Sequence, residues 1–448
     1  MPRQRTLSKE CRVQLSRRAM SLQGIARSLA QAASGVVRLA GRPVRRARGK
    51  GNVVIEPYRG YGTQSEVFLI GRVFRQPHSD PADTGTFRSE LRDIGRRVRR
   101  RSLSGVAVTA RFYGTTEATT TDPDGYFRVH LRPESAPTHD ITWHAIDLLL
   151  EGPERVEAQG QIYIPSPRAR FVVISDIDDT VMHTGVANKL SMLWRLFVAD
   201  AQSRVAFPGV AALYRALHDG ASGIEGNPML YVSRAPWGIY SVLEEFFSQH
   251  GIPVGPVLFL REWGISWKSP LPRKAADHKQ ELIRNMLELY QELPFVLIGD
   301  SGQHDPEVYR QIVEEHPGRV LAVYIRNVSR DPRRIAEIEE LAATIAAAGS
   351  SLVLAADSLA MAEHAVGLGL VPARAVQEVA GERVEQGEAD ARAATQQIKE
   401  VSPGQTAAAV KEGELQELLS SGSEDGPPSV VVEPQGAGQL SDIEKRSD

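Results

Sequence analysis

The stretch that decides the fold is Phe171-Val-Val-Ile-Ser-Asp-Ile-Asp-Asp-Thr180. Its first half is a β-branched, apolar run of the kind that forms a strand buried on both faces. Its second half places three carboxylates, those of Asp176, Asp178 and Asp179, directly after that strand. Like charges at this spacing repel one another, so the cluster needs a cation nearby. The stretch therefore predicts a buried strand that ends in a cation-binding carboxylate site.

Apolar runs of the same kind recur downstream, with helical patterns between them. The predicted strands are Met229–Ser233, Val257–Leu260, Phe295–Gly299, Val320–Ile325 and Ser351–Ala355, and the predicted helices are Val210–His218, Trp237–His250, Lys274–Leu293, Pro306–Glu315, Pro332–Ala348 and Ser358–Gly367. Fully apolar strands that alternate with helices are typical of a parallel sheet covered on both faces. We therefore predict an α/β fold with a Rossmann-like, doubly wound parallel sheet.

Active sites in such sheets lie at the carboxyl ends of the strands, and polar residues follow two more of the predicted strands. Ser233 ends one strand and precedes a helix, where a hydroxyl can hold a phosphoryl oxygen or simply cap the helix. Asp300 and Asp305 lie in the loop after Phe295–Gly299. Asp300 is suited to a direct metal bond, and Asp305 either supports the metal or caps the next helix.

Two further features complete the predicted chemistry. Asp176 and Asp178 lie two residues apart, so an extended chain points both to the same side, where one can attack phosphorus and the other can handle a proton. Lys279, near the start of a predicted helix, is either a surface lysine or a fixed charge that neutralises a phosphoryl group. Carboxylate oxygens of this kind suit Mg²⁺, which keeps waters and accepts phosphate oxygens.

Four motifs occur in a fixed order: Ser175-Asp-Ile-Asp-Asp-Thr180, Tyr231-Val-Ser-Arg-Ala-Pro-Trp237, His278-Lys279, and Phe295-Val-Leu-Ile-Gly-Asp-Ser-Gly-Gln-His-Asp-Pro306. Over roughly residues 168–375 they resemble the haloacid dehalogenase superfamily. The closer resemblance is to phosphatidate phosphatases of the actin-patch-protein type and their bacterial relatives. It implies Mg²⁺-dependent hydrolysis of phosphatidate to diacylglycerol and phosphate through an aspartyl-phosphate. It also implies a haloacid dehalogenase-like sheet with a small cap, for which Val181–Phe207 and Ala235–Glu292 are the natural positions.

The resemblance implies a role for each matching residue. Asp176 is similar to the nucleophile and Asp178 to the general acid and base. The resemblance also implies that Thr180 and Ser233 bind phosphate and that Lys279 neutralises charge. It implies a metal site made of four acids: Asp176, Asp178, Asp300 and Asp305. The chain departs from the family pattern at Arg234-Ala235, where Ser or Asn followed by Ser is expected. We assign Arg234 to substrate contact, because its charge favours an anionic substrate.

The predicted phosphatase domain covers residues 168–381. The regions outside it differ from it, and from one another, in composition. Residues 1–51 form a leader with thirteen Lys or Arg and one acid before Gly51, which favours either a disordered basic arm or an interfacial helix on anionic lipid. Residues 52–165 predict a β-sandwich-like domain, with a hairpin around Asp122-Pro-Asp-Gly125. Residues 382–448 are acidic and apolar-poor, which predicts a disordered tail.

Composition excludes several other classes of protein. The single cysteine, Cys11, excludes an intrachain disulfide, and no apolar run approaches eighteen residues, so we expect no transmembrane segment. The leader also lacks a secretory signal, so we expect a cytoplasmic protein that acts on a phospholipid at the membrane surface. Nucleic-acid binding ranks last, because the basic leader has no interleaved aromatics. The alternative functions are a phosphatase of a soluble phosphomonoester or phosphoprotein, and a non-catalytic adaptor. The sequence does not identify a protein partner.

Overall fold

The computed structural model describes residues 47–48, 52–75, 101–139, 141–151, 155–177, 208–233, 240–259, 275–329, 331–386 and 430–434. The strands are β1 Ala47–Arg48, β2 Val53–Pro57, β3 Arg59–Gly62, β4 Val67–Arg75, β5 Arg101–Ser102, β6 Ala107–Phe112, β7 Thr115–Thr120, β8 Tyr126–Leu131, β9 Trp143–Leu150, β10 Val156–Tyr163, β11 Val172–Asp176, β12 Met229–Ser233, β13 Val257–Phe259, β14 Phe295–Asp300, β15 Val320–Arg326, β16 Ser351–Ala355 and β17 Val430–Val432. The helices are α1 Val210–Asp219, α2 Tyr240–Gln249, α3 Ala275–Leu289, α4 Asp305–Glu315, α5 Pro332–Ala347 and α6 Ser358–Gly367, and residues 374–386 are also helical.

The second half of the chain forms a sheet of seven strands in the order β13-β12-β11-β14-β15-β16-β17. The pairs from β13 to β16 are all parallel, and β17 adds an antiparallel strand at one edge. β11 therefore lies inside the sheet, between β12 and β14, where both of its edges are hydrogen-bonded. Its residues are buried throughout, because side chains also pack on both faces of the sheet.

Alternate residues of β11 fill two different cores, because successive side chains of a strand point to opposite faces. Val173 lies in the core that α1, α2 and α6 cover, and Val172 and Ile174 lie in the core that α3, α4 and α5 cover. Helices thus cover both faces of the sheet, and the predicted α/β class agrees with the structure. Assignment to the haloacid dehalogenase superfamily stays a prediction, and the candidate cap Val181–Phe207 lies outside the described residues.

Several predicted boundaries agree with the structure, while the decisive strand is shifted. Met229–Ser233, Ser351–Ala355 and Ser358–Gly367 coincide with β12, β16 and α6. β11 runs from Val172 to Asp176, one residue later than the apolar run suggests. Asp176 is therefore part of the strand and takes its position from the sheet, which fixes that carboxylate more firmly than a loop would.

The first half of the described chain forms a ten-stranded sheet with its own core. The predicted hairpin around Asp122–Gly125 is only partly correct. The turn forms, since Asp122 N donates to Tyr126 O at 2.8 Å and Gly125 N donates to Asp122 O at 2.9 Å. The strands that flank it pair elsewhere, β7 with β6 and β8 with β4. β8 contributes buried Phe127 and Val129 to the core, which explains its pairing with apolar β4. The description of this region as a sandwich stays a prediction.

Part of the predicted tail is ordered against the sheet. Residues 430–432 are three valines that pair antiparallel with β16, although they lie in a polar, acidic segment. Residues 382–386 continue a helix, and Glu382 there bonds Arg215 of α1 at 2.7 Å. The tail prediction is therefore wrong for these residues, because short apolar or charged groups gain partners on the sheet domain. Most of the tail, and the leader before Ala47, lie outside the described residues. No helix among the described residues is long and apolar enough to cross a bilayer.

A buried polar network joins the starts of β11 and β12. Asn227 Oδ1 accepts a hydrogen bond from Arg170 N at 2.8 Å, and Asn227 Nδ2 donates to Leu217 O at 2.9 Å. His218 Nδ1 donates to Asn227 O at 2.8 Å. Burial lowers the pKa of His218 to about 4, although its hydrogen bond to Asn227 opposes this shift. The folded structure therefore favours the neutral form of the His218 imidazole.

We expect His218→Gln to weaken the acid sensitivity of the fold. The unfolded histidine takes up a proton at a pKa of about 6.5, whereas the folded one does so at about 4. Stability from neutral His218 is therefore present above pH 6.5 and is lost as pH falls toward 4. Because the ring is partly exposed, we expect this loss to be about 2 kcal/mol.

The measurement is the free energy of unfolding in urea at pH values from 7 to 4, for both proteins. Burial raises the pKa of neighbouring Asp219 to about 6, which gives an effect of opposite sign in both proteins. The difference between the proteins is therefore the informative quantity. Parallel pH profiles would show that His218 does not stabilise the fold in this way.

Candidate active site

The carboxyl ends of neighbouring parallel strands bring the first two acids together. Asp176 ends β11 and is 1% exposed, and Asp300 ends β14 and is fully buried. β11 and β14 are directly paired, with Ser175 opposite Ile298. The site is therefore at the edge of the sheet where the sequence predicts it.

The loop after β14 turns back so that Asp305 joins these two acids. Gly302 N donates to Asp300 Oδ1 at 2.8 Å, and Asp300 N donates to Asp305 Oδ2 at 3.2 Å. Gly299 makes this close approach possible, because a Cβ at position 299 would lie 2.3 Å from Asp305 Oδ2. Asp305 is the first residue of α4 and His304 before it occupies the N-cap position, so the helix-cap role that the sequence leaves open for Asp305 is wrong.

Lys279 provides the positive charge of the site. Its Nζ lies 2.5 Å from Asp305 Oδ1 and 3.4 Å from Asp176 Oδ2, and its side chain is 2% exposed. Burial lowers the pKa of this ammonium, but the nearby carboxylates of Asp176 and Asp305 outweigh burial and raise the pKa above its ordinary value. Lys279 is therefore a fixed cation, and the surface-lysine interpretation of the sequence is wrong.

Gln303 is a site residue that the sequence analysis does not identify. Its Nε2 donates to Asp300 Oδ2 at 2.7 Å and to Asp176 Oδ2 at 3.3 Å, so it bridges the ends of the two strands. Arg334 of α5 holds the loop from behind, donating to Gln303 O at 2.9 Å and to Ser301 O at 3.0 Å. The sequence offers one signal that could have identified this residue: Gln303 lies inside the quoted motif, between Asp300 and Asp305.

The charges of the cluster do not balance. Asp176, Asp300 and Asp305 each offer one carboxylate oxygen within 4.8 Å of the others, and all three are buried. One ammonium, that of Lys279, leaves two negative charges in excess when all three acids are ionised. Buried charge without compensation is unfavourable by many kcal/mol. Buried carboxylate oxygens are also the ligands of hard divalent cations, so the donor set fits such an ion.

The remaining predicted residues divide into two groups. Ser233 ends β12, one residue beyond Val232, the partner of Asp176, and it is 1% exposed. It thus belongs to the same edge of the sheet. Asp178, Thr180 and Arg234 lie outside the described residues, and their roles stay predictions.

Fold and site together define an α/β protein with a buried carboxylate–lysine cluster at the ends of parallel strands. Residues 171–327, which contain the whole described cluster, match the family model of the phosphatidate phosphatase APP1 catalytic domain. A region of 225 residues, 49% of this chain, is 32% identical to phosphatidate phosphatase APP1 of Saccharomyces cerevisiae. Another of 159 residues, 36% of the chain, is 26% identical to an uncharacterised protein of Schizosaccharomyces pombe.

The chain spans only part of these relatives, 35% of the budding-yeast protein and 25% of the fission-yeast protein. Among solved structures, a carbohydrate acetylesterase from Xanthomonas citri matches 64% of this chain and 71% of its own length at 11% identity. The TM-score of that match is 0.23, too low to indicate a shared fold. The informative similarity is therefore the match of residues 171–327 to the catalytic-domain family model.

We expect Gly299→Ala to disrupt the cluster while the sheet stays folded. The new methyl group would meet the Asp305 carboxylate at 2.3 Å and displace it from its partners. We expect the affinity for Mg²⁺, measured by calorimetric titration, to fall by at least about tenfold. Gly367→Ala is the matched control, because a Cβ at that helical position meets nothing within 4 Å. Equal affinities in both variants would contradict the role of Asp305 in holding a cation.

Proposed function

We propose that this chain is a Mg²⁺-dependent phosphatidate phosphatase of the haloacid dehalogenase superfamily. It hydrolyses phosphatidate to diacylglycerol and phosphate. The observation that carries the proposal is the buried cluster of Asp176, Lys279, Asp300 and Asp305 inside the region that matches a phosphatidate phosphatase catalytic domain. The activity named for the budding-yeast relative supports the same assignment.

Asp176 acts as the nucleophile in this proposal. Lys279 Nζ and Gln303 Nε2 both contact Asp176 Oδ2, at 3.4 and 3.3 Å, so the orientation of the carboxylate is set before substrate arrives. An oxygen of Asp176 forms a bond to phosphorus, and the bond from phosphorus to the glycerol oxygen breaks. The departing diacylglycerol oxygen takes a proton from Asp178. The product on the enzyme is an aspartyl-phosphate.

Hydrolysis of that intermediate restores the enzyme. A water oxygen attacks phosphorus and gives a proton to Asp178, and the bond from phosphorus to Asp176 breaks to release phosphate. Lys279 keeps its proton throughout, because its raised pKa favours the ammonium, and its charge offsets that of the phosphoryl group. Asp176, Asp300 and Asp305, with Asp178, would hold Mg²⁺, which supplies further positive charge against phosphoryl oxygens when bound.

The proposed enzyme works from the cytoplasm as a peripheral protein at the membrane surface. The single cysteine, the basic leader of residues 1–51 and the absence of a membrane-spanning helix among the described residues support this placement. Arg234, Thr180 and Ser233 would contact the phosphate of the substrate.

Asp176→Asn is expected to abolish phosphate release, because the amide is a far weaker nucleophile and removes one charge of the cluster. The measurement is phosphate release from phosphatidate in mixed micelles, with and without Mg²⁺, for the variant and the wild type. Substantial Mg²⁺-dependent turnover by the variant would remove the nucleophile assignment. Turnover of an aryl phosphate without turnover of phosphatidate would keep the mechanism and indicate a soluble phosphomonoester or phosphoprotein substrate.

Gln303→Leu is expected to lower kcat by about 10- to 100-fold with little change in KM, because the bridge between Asp176 and Asp300 positions the nucleophile. Gln311→Leu is the matched control, since Gln311 is exposed on α4 and bonds only Glu315 in the described structure. Steady-state kinetics on phosphatidate micelles measure both. Similar kcat values for the two variants would show that Gln303 does not position Asp176.

A further inference from the structure

A cavity lies where the ten-stranded sheet meets the edge of the seven-stranded sheet. Its volume is about 460 Å³, and its lining comes from β3, β4, β7 and β8 on one side and from β13 on the other. β13 is the edge strand at this end of the seven-stranded sheet. The lining includes Arg59, Tyr61, Phe68, Ile70, His130 and Leu258.

The walls of this cavity are mainly apolar and aromatic. Tyr61 stacks on Phe68 with ring centroids 5.5 Å apart, and Phe68 stacks on His130 at 4.3 Å. Ile70 and Leu258 add aliphatic surface. The exposed lining residues Arg128 and Glu117 are charged, so the outer part is polar. An elongated apolar molecule with a polar end has the matching chemistry.

Arg59 adds one buried polar group to this apolar lining. Its side chain is 3% exposed, its Nε donates to Glu244 Oε1 at 2.8 Å, and its guanidinium lies 4.9 Å from the Trp143 ring. Its Nη1 is buried and has no hydrogen-bond acceptor among the described residues. Glu244 balances the charge of Arg59, so Arg59 adds no uncompensated charge to the lining, which suits an uncharged chain.

Strand register places this cavity close to the catalytic cluster. Asp176 of β11 lies opposite Val232 of β12, and Val232 lies opposite Leu258 of β13. Leu258 lines the cavity. Two strand spacings separate its backbone from that of Asp176, roughly 10 Å. This distance is within reach of a single lipid molecule whose phosphate is at Asp176.

We propose that the cavity binds an acyl chain of the lipid substrate. The chain occupies the walls formed by Tyr61, Phe68, Ile70 and Leu258. Assignment of the chain to the substrate rests on the proposed function, whereas acyl-chain binding by the cavity does not. Acyl-chain binding and the assignment of the chain to the substrate can therefore be disproved independently of each other.

Binding is tested with cis-parinaric acid, a fluorescent polyene fatty acid, titrated into the full-length protein. We expect wild type and Asp176→Asn to bind it equally, because the cavity contains no catalytic residue. Ile70→Trp reduces the free volume and should weaken binding by at least about tenfold. Ala118→Trp is the matched control, since Ala118 is exposed and lies beside the cavity residue Glu117 without lining the cavity. Equal binding by the two tryptophan variants would overturn the proposal.

A second measurement remains decisive if Ile70→Trp does not fold. A fatty acid with a photoreactive diazirine on its chain is cross-linked to wild-type protein, and the labelled peptides are identified by mass spectrometry. Labels on residues 59–70, 128–130 or 257–258 support the proposal. Labelling confined to other surfaces would overturn it.

Steady-state kinetics test whether the acyl chain in the cavity belongs to the substrate. If the substrate's own chain occupies the cavity, Ile70→Trp raises KM for dioctanoyl phosphatidate by about tenfold and leaves KM for an aryl phosphate unchanged. An unchanged KM for both substrates would overturn the substrate assignment, even where fatty-acid binding is lost. Fatty-acid binding without any phosphate release from wild type would instead overturn the proposed function alone.

Discussion

Three carboxylates and one ammonium, all buried at the end of a parallel sheet, form the constraint on which the rest of the structure depends. Asp176, Asp300 and Asp305 approach within 4.8 Å although each repels the others. Lys279 offsets part of this repulsion, and removing one partner of such a buried pair typically costs about 3–5 kcal/mol. The cluster is therefore stable only where the backbone and neighbouring donors fix each carboxylate, and where a further cation can enter.

The surrounding residues meet that requirement from rigid elements. β11 and β14 fix Asp176 and Asp300 through hydrogen bonds along the strands, and side chains of both strands pack into the two cores. Gly299 leaves room for the Asp305 carboxylate, and Arg334 fixes the loop carbonyls behind Gln303. The geometry of the cluster thus follows from the sheet and one loop. This arrangement suits a reaction in which orientation and charge, rather than flexibility, lower the barrier.

Sequence reasoning succeeds where local pattern determines structure. Apolar strands alternating with helices predict the α/β class, and the strand-end rule places Asp176, Ser233 and Asp300 on one edge. It fails where long-range contacts decide. Gln303 is an ordinary amide until the loop folds, and the turn at Asp122–Gly125 cannot specify that β8 pairs with β4. The three valines of residues 430–432 favour a strand, but the local sequence cannot specify that this strand pairs with β16. Asp178, Thr180 and Arg234 remain predictions.

The boundary near Pro165-Ser-Pro167 separates two sequence patterns but not two independent packing units. Tyr58 lies in one core of the seven-stranded sheet domain and Tyr61 in the other, while Tyr163 donates to Gly226 O at 2.6 Å. β13 is a three-residue edge strand, and an uncovered edge invites pairing with other chains. The ten-stranded sheet lies against this edge. Residues of both sheets line the cavity beside Arg59, so the contact at this edge leaves an apolar space near the carboxylate cluster.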